Sequence, residues 1–367
     1  METALQLAGR LIRLDTTTGV PTEPDGLRLL ADIFDGHPEY RTVIREHPQT
    51  GRPAALVVVP THPQHAKLLL LSGHVDTVTA VPDNWSFDPW AGDIVDGQLR
   101  GRGATDMKGG LAALVTAMLQ AGPHAPVALA VSTEEEWGCA GTPHVIDALK
   151  AAGVGTTLQV GSLLVAEPTD GDIYLGHRGP LWFNVTIGGV PAHGSTPERG
   201  QSAILKAAEL IVRANRDFPR RTHPHLGVET INFGRITGGT MRNVVPDRVD
   251  LEVDVRTTYP DPQPLLQWWR NQPEVDEVTL DSVHPAVWTD VSDPWVASLP
   301  GTVAEQPASY GTEAAPLGAA LDWPPTVIWG PGQTNAMHVI DETVSASAVE
   351  KAAASYLQAI RNWQALQ

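Results

Sequence analysis

Apolar residues along this chain follow two spacings, one of helices and one of strands. Residues 3–13 carry apolar side chains at helical intervals, and Asp15-Thr16-Thr17-Thr18-Gly19 breaks that helix. A second helix is predicted over 25–35 and a strand over 54–59. The run Leu68-Leu69-Leu70-Leu71, within a strand predicted over 67–73, is buried in character but too brief to span a membrane. A long irregular passage, 82–102, holds Trp85, Phe87 and Trp90 among turn residues, and ordered loops of such length usually serve function. An apolar helix over 111–119, a strand over 126–131, a helix over 143–152 and a strand over 162–166 follow. Near Gly179 the order changes to strand 181–187, helix 201–214, strands 229–236 and 248–256, helix 263–270 and strand 276–281. That βαββαβ order predicts a ferredoxin-like layer of helices on one antiparallel sheet. Afterwards the α/β style returns, with a strand over 326–329 and an amphipathic helix over 343–364. The expectation is two domains, one formed by 1–178 with 283–367 and one inserted at 179–282.

Composition narrows the function classes. A length of 367 residues suits roughly two domains, and 42% hydrophobic with 18% charged residues is a globular balance. A formal net charge of −17 argues against nucleic acid as a partner, because phosphates demand basic surface. The single cysteine, Cys139, excludes an intramolecular disulfide and fits a reducing cytosol. The first residues lack the basic and apolar regions of a secretory signal, and no run reaches the roughly 18 apolar residues of a membrane span. A cytoplasmic protein with no membrane partner is expected.

Chemistry collects where apolar strands end. His74 and Asp76 follow Gly73 at once, two apart, so that they can meet on one side. An imidazole can bind a metal while a carboxylate orients it, although a surface pair capping a turn would look the same. The glycine-rich stretch from Gly101 to Gly110 fits neither phosphate-loop spacing, which leaves Asp106 as a helix cap or a ligand. The strand over 126–131 delivers Glu134-Glu135-Glu136, three carboxylates whose repulsion calls for a cation or for solvent. The strand over 162–166 delivers Glu167, and His338 follows the last strand through a glycine-rich turn. Two histidines and three carboxylates (His74, Asp106, Glu136, Glu167, His338) suit a pair of divalent ions, above all Zn2+. A structural zinc site would use mostly thiolates, and there is one cysteine. Taken singly, His193, Asn243 and Arg256 read as turn or surface residues.

Five segments carry a family resemblance. Ser72-Gly73-His74-Val75-Asp76-Thr77-Val78, the stretch from Gly101 to Gly109, Thr133-Glu134-Glu135-Glu136-Trp137-Gly138, Ala166-Glu167-Pro168-Thr169 and Ala336-Met337-His338 resemble, in order, the co-catalytic zinc amidohydrolases. That family includes acetylornithine deacetylase, succinyl-diaminopimelate desuccinylase and glutamate carboxypeptidase. The resemblance implies an α/β fold, in which a mixed-sheet zinc-peptidase-like catalytic domain carries an inserted α+β ferredoxin-like lid that serves dimerisation. It implies two Zn2+ ions, with Co2+ and Mn2+ as alternatives. Asp106 would bridge them, His74 and Glu167 completing one site and Glu136 and His338 the other. Glu135 would be the general base acting with a metal-bound hydroxide, and Asp76 would orient His74. A register shifted by one would make Glu134 the base. His193 matches a lid histidine that stabilises the oxyanion, often from a partner subunit. Arg178, Asn243 and Arg256 fall where relatives hold the substrate carboxylate, and Gly311 and Thr312 match a substrate-contacting turn.

Within the family, Tyr310-Gly311-Thr312-Glu313-Ala314 and Gly330-Pro331-Gly332 with the terminal Ala336-Met337-His338 resemble the acetylornithine and acetylcitrulline deacetylase branch. The Ser-Asp that typically follows Gly-Thr in desuccinylases is absent. The expected substrate is a small N-acyl amino acid, N-acetylornithine or a relative, in arginine or lysine biosynthesis. A dipeptidase, carboxypeptidase or desuccinylase of the same family is the alternative. A non-catalytic metal-binding scaffold would lack the base or a ligand, and none is missing here.

Overall fold

The computed structural model describes residues 2–63 and 67–367. The chain divides into two compact units, one of 1–176, 288–308 and 312–367, the other of 177–287 with 309–311.

In the first unit a six-stranded mixed sheet runs in the order Tyr40–Glu46, Pro53–Pro60, Val127–Ser132, Lys67–His74, Gln159–Val165, Thr326–Ile328. The last four are parallel, and the first two join antiparallel at one edge. Strands covered on both faces need not alternate, and Leu68, Leu69, Leu70 and Leu71 are all fully buried. The register pairs His74 with Ser132 and Ser72 with Val165, which brings three parallel strands to their carboxyl ends at one level. Ligands of open α/β sheets gather at that edge.

Helices cover this sheet. The helix Gly109–Ala121 is apolar on every side and buried from Gly109 to Met118; it packs on Ala4–Ile12 and on the final helix, Ala346–Ala365. Ala4–Ile12 begins with a capping box, in which Thr3 and Gln6 satisfy each other's backbone N–H groups. No described helix is long and apolar enough to cross a membrane.

The second unit has the element order βαββαβ. Its antiparallel sheet runs Thr230–Gly238, Arg248–Thr257, Gly179–Gly188, Glu277–Val283. Alternate residues Leu181, Phe183, Val185 and Ile187 face the core together with Val249, Leu251, Val253 and Val255. The helices Ala203–Asp217 and Gln263–Arg270 close that core with Ala207, Leu210, Ala214 and Trp269.

Three local readings change. The edge strand Tyr40–Glu46 had no apolar alternation to announce it, since its outer neighbour is solvent and Ile44 is exposed. Inside the irregular passage, Ile94–Val95 and Gln98–Arg100 form a small hairpin. Gln98–Arg100 also takes Thr343–Ser345 as a partner, so the helix predicted from 343 starts at Ala346 instead. Backbone pairing to a distant strand outweighs the helical spacing there.

One glycine is required by close approach. A methyl group on Gly110 would lie 2.3 Å from the carbonyl oxygen of Ala166, the residue before Glu167. On an exposed helix Gly→Ala gains about 1 kcal/mol. Gly110→Ala should instead cost about 1–3 kcal/mol through overpacking, read as a lowered urea midpoint. A raised midpoint would show that the helix and the strand end are free to move apart.

Candidate metal centre

The ends of the parallel strands place the chemistry. His74 closes the central strand with its ring fully buried. Its Nδ1 lies 3.0 Å from the backbone oxygen of Asp76 and 3.3 Å from Asp76 Oδ1. Both are acceptors, so in the neutral ring that a metal ion requires the proton belongs on Nδ1 and the Nε2 lone pair faces the opposite way. Asp76 is itself fixed, its Oδ2 accepting from the Glu136 N–H at 3.1 Å and the Thr18 hydroxyl at 3.0 Å.

Three carboxylates crowd His74 Nε2: Asp106 Oδ1 at 3.3 Å, Glu167 Oε1 at 3.5 Å and Glu135 Oε2 at 4.0 Å. His338 Nε2 stands 3.3 Å from Asp106 Oδ2 and 3.0 Å from Glu136 Oε2. Asp106 therefore turns one oxygen to each imidazole. Donor atoms of His74, Asp106 and Glu136 lie within 4.8 Å of one another, as do those of His74, Glu135 and Glu167. His74 Nε2 is buried yet has no aligned hydrogen bond. A lone pair aimed among carboxylate oxygens fits a cation that all of them touch. Two imidazoles and these carboxylates, with Asp106 shared, fit two divalent ions.

Electrostatics of the cluster reflect crowding. Burial raises Glu135 well above the usual carboxylate range, with His74 opposing and the charges of Glu167 and Glu136 adding to the rise. Burial and then the Asp106 charge push Glu167 up to about 8; burial also raises Glu136, against the contact with His338. Burial works against a charged His74, but Asp106, Asp76 and Glu167 around the ring more than offset it and raise the imidazole. Hydrogen bonds to Asp106 and then to Glu136 lift His338 to about 10. Asp106 is held well below the usual range, because the two imidazoles outweigh its burial.

Several supports had no motif to announce them. Glu342 is a buried carboxylate that accepts from the N–H groups of Gly103 at 3.0 Å, Thr105 at 2.8 Å and Asp106 at 3.0 Å, and from Arg102 Nη1 at 2.7 Å. It fixes the turn that presents Asp106, which lies in non-helical backbone before the helix rather than capping it. Glu313, directly after Thr312, accepts from the Ser72 hydroxyl at 2.7 Å and the Ser132 hydroxyl at 2.9 Å, tying two strand ends together. The Cys139 thiol donates to Glu135 Oε1 at 3.3 Å. Buried Lys108, lowered to about 7 mainly by burial, donates to the Leu14 carbonyl at 3.0 Å. Only a lone acid or thiol beside apolar residues hinted at these.

The remaining sequence candidates divide between the units. Thr312 is buried in the first, whereas Arg178, His193, Asn243, Arg256 and Gly311 belong to the second. There, His193 and Asn243 lie on adjoining segments, His193 bridging to Val244 and the Gly194 N–H donating to the Asn243 carbonyl at 2.8 Å. His193 is exposed, and its Nδ1 lies 2.7 Å from the Ser195 hydroxyl oxygen and 3.2 Å from the Ser195 backbone nitrogen. Arg178 donates to the Val228 carbonyl at 3.0 Å, and Arg256 is paired with Asp254 at 3.0 Å.

Comparison with known proteins now has this geometry to attach to. The model of "Peptidase family M20/M25/M40" matches residues 70–362. A succinyl-diaminopimelate desuccinylase of Dechloromonas aromatica is 32% identical over 317 residues, 79% of this chain and 82% of the relative. A "probable carboxypeptidase" of Aspergillus terreus is 28% identical over 320 residues, 82% of this chain and 72% of the relative. Among solved structures, aminopeptidase PepT from Bacillus cereus gives a TM-score of 0.77 at 20% identity, over 98% of this chain and 97% of that one. The metallo-carboxypeptidase Sso-CP2 from Sulfolobus solfataricus gives 0.78 at 15% identity, over 99% of each. At such identities the solved structures establish the fold. The family match, spanning most of the chain, establishes more: the chain belongs to peptidase family M20/M25/M40 and is a metal-dependent hydrolase of that family, in which a pair of zinc ions is typical.

Proposed function

We propose that the protein hydrolyses the amide bond of a small N-acyl amino acid. The observation that carries this reading is a cluster of two imidazoles and four carboxylates in which Glu135 stands 4.0 Å from His74 Nε2, further than Asp106 at 3.3 Å and Glu167 at 3.5 Å. His74, Asp106, Glu136, Glu167 and His338 would hold the ions, with Asp106 between them. When bound there, two zinc ions supply an activated water and polarise the substrate carbonyl. Glu135 would take a proton from that water and pass it to the leaving amine; burial, which raises its affinity for protons, suits a group that must accept one. Asp76 orients His74. Glu134 is the weaker candidate for the base, because its donor atom gathers with those of His47 and His144 instead.

His193 is assigned the oxyanion, since Ser195 engages its Nδ1 and Nε2 would be the nitrogen that donates. Arg178, Asn243 and Arg256 are assigned the substrate carboxylate, with Gly311 and Thr312 beside the substrate. For the acyl group, the desuccinylase relative supports succinyl, on a diaminopimelate-like amine. The Gly311-Thr312-Glu313-Ala314 turn supports acetyl, as in N-acetylornithine. A peptidase reading is supported by the carboxypeptidase relative and by the family match. We also propose a homodimer formed through the second unit, on which Leu205, Val212 and Ile236 are exposed. Light scattering should give twice the chain mass, and a monomer at all concentrations would remove the dimer.

Release of succinate, acetate or a free amino acid from N-succinyl-diaminopimelate, N-acetylornithine and dipeptides, with and without chelator, decides among these substrates. No chelator-sensitive hydrolysis of any amide would sink the reading. On the preferred substrate, Glu135→Gln should lower kcat roughly 100- to 10,000-fold with metal content unchanged, and near-parent turnover would remove the base assignment. His193→Ala should lower kcat roughly 100- to 1,000-fold; an unchanged kcat would free His193 from the oxyanion.

Metal loading should also release protons. At pH 7, Glu167 (about 8) and His338 (about 10) both lie below their raised values, so each carries a proton in the metal-free protein. Ligation requires the deprotonated forms. Zinc affinity should therefore rise with pH, most steeply below about 8 and further towards 10. Calorimetry at pH 7 in buffers of different ionisation enthalpy should detect the protons, and a buffer-independent heat would contradict the assignment.

A further inference from the structure

His47, Glu134 and His144 meet on the first unit, outside the centre already described. Each is half-buried, and one donor atom from each lies within 4.8 Å of the other two. The two imidazole rings stand 5.2 Å apart with their planes 59° inclined. We propose that this cluster is a third divalent-metal site, selective for a borderline ion such as Zn2+ or Co2+. Two imidazoles and a carboxylate form a three-ligand set that leaves a further position for water. Imidazole nitrogen also disfavours Mg2+ and Ca2+, which prefer all-oxygen surroundings.

The donors arrive from three separate elements, each fixed by backbone bonds. His47 follows the edge strand Tyr40–Glu46 and closes its hairpin, its N–H donating to the Arg52 carbonyl at 2.7 Å and its carbonyl accepting from the Gly51 N–H at 2.8 Å. Glu134 sits just past the strand Val127–Ser132 in left-handed backbone, φ 56°. Its N–H donates to Glu23 Oε1 at 2.9 Å and its carbonyl accepts from the Ala140 N–H at 3.0 Å. A left-handed conformation at a non-glycine residue is costly and persists where its surroundings enforce it. His144 lies in the first turn of Thr142–Ala151. A cavity of about 290 Å³, lined among others by His47, Glu134 and Thr133, offers an ion a way in.

The ion has little to displace. His47 Nδ1 accepts a hydrogen bond from the Gln49 N–H at 3.3 Å, a long one. Ligation through Nδ1 replaces that bond, and ligation through Nε2 moves the ring proton onto Nδ1; either way one weak bond is given up. Glu134 immediately precedes Glu135 and Glu136, so the ion would anchor the segment that carries both.

Metal analysis of the zinc-saturated protein, freed of unbound ion by gel filtration, tests this directly. The parent should retain three equivalents and His47→Asn/His144→Gln two. Asn keeps an acceptor for the turn and Gln suits the helix. Excess Mg2+ should leave the third equivalent in place. The thermal midpoint of the parent should rise on addition of zinc beyond two equivalents, and that of the double variant should not. Equal metal content in parent and double variant would overturn the site, as would displacement by Mg2+. Should the double variant not fold, His144→Gln alone is read in the same way. Asp106→Asn separates this site from the main cluster: it should lose ions there while keeping the equivalent that depends on His47 and His144.

Discussion

Repulsion among buried carboxylates is the constraint on which the first unit depends. Asp106, Glu135, Glu136 and Glu167, with side chains largely buried, converge on a fully buried imidazole, His74, and a more exposed one, His338. Burial favours their neutral forms, and each negative neighbour adds to that preference. A fold can keep such a cluster only where a cation compensates it and the backbone beneath is too well tied to relax. Both conditions shape the surrounding structure. Glu342 fastens the turn that carries Asp106, Glu313 joins two strand ends, and Asp76 holds His74 and the Glu136 backbone together.

These supports are acids too, and that is how rigidity is obtained without adding more unpaired charge. Glu342 spends its charge on three N–H groups and a guanidinium, and Glu313 on two hydroxyls. Removing such an acceptor leaves several buried donors unsatisfied at once, a cost larger than that of one lost hydrogen bond. The clustered carboxylates thus differ from the supporting ones, which are satisfied by hydrogen bonds.

The strand-end chemistry was legible in the sequence because parallel strands are short apolar runs that end abruptly. His74, Glu136 and Glu167 stand at such ends, and the register brings those ends level. Asp106 and His338 follow glycine-rich turns and were legible through their motifs. Glu342 was not, and the role of Glu313, though it stands in a quoted motif, was not either, since their partners lie more than 180 positions away. The strand Tyr40–Glu46 was hidden because an edge strand with an exposed face needs no apolar alternation. The start of the last helix was hidden because its first residues pair with Gln98–Arg100. The acyl group is not legible in motifs at all, since discrimination between acyl groups depends on pocket shape.

The contribution of Glu342 and His338 also dictates an order of events during synthesis. The turn at Asp106 is made early, but the carboxylate that fastens it and the imidazole that shares it come near the end of the 367-residue chain. While the ribosome is still upstream of His338, the emerging polypeptide has His74 and the glutamates but neither the Asp106 clamp nor the second imidazole. The clamp on the Asp106 turn is therefore closed by a segment more than 230 positions further along the chain, and the strand ends stay loose until that segment has docked.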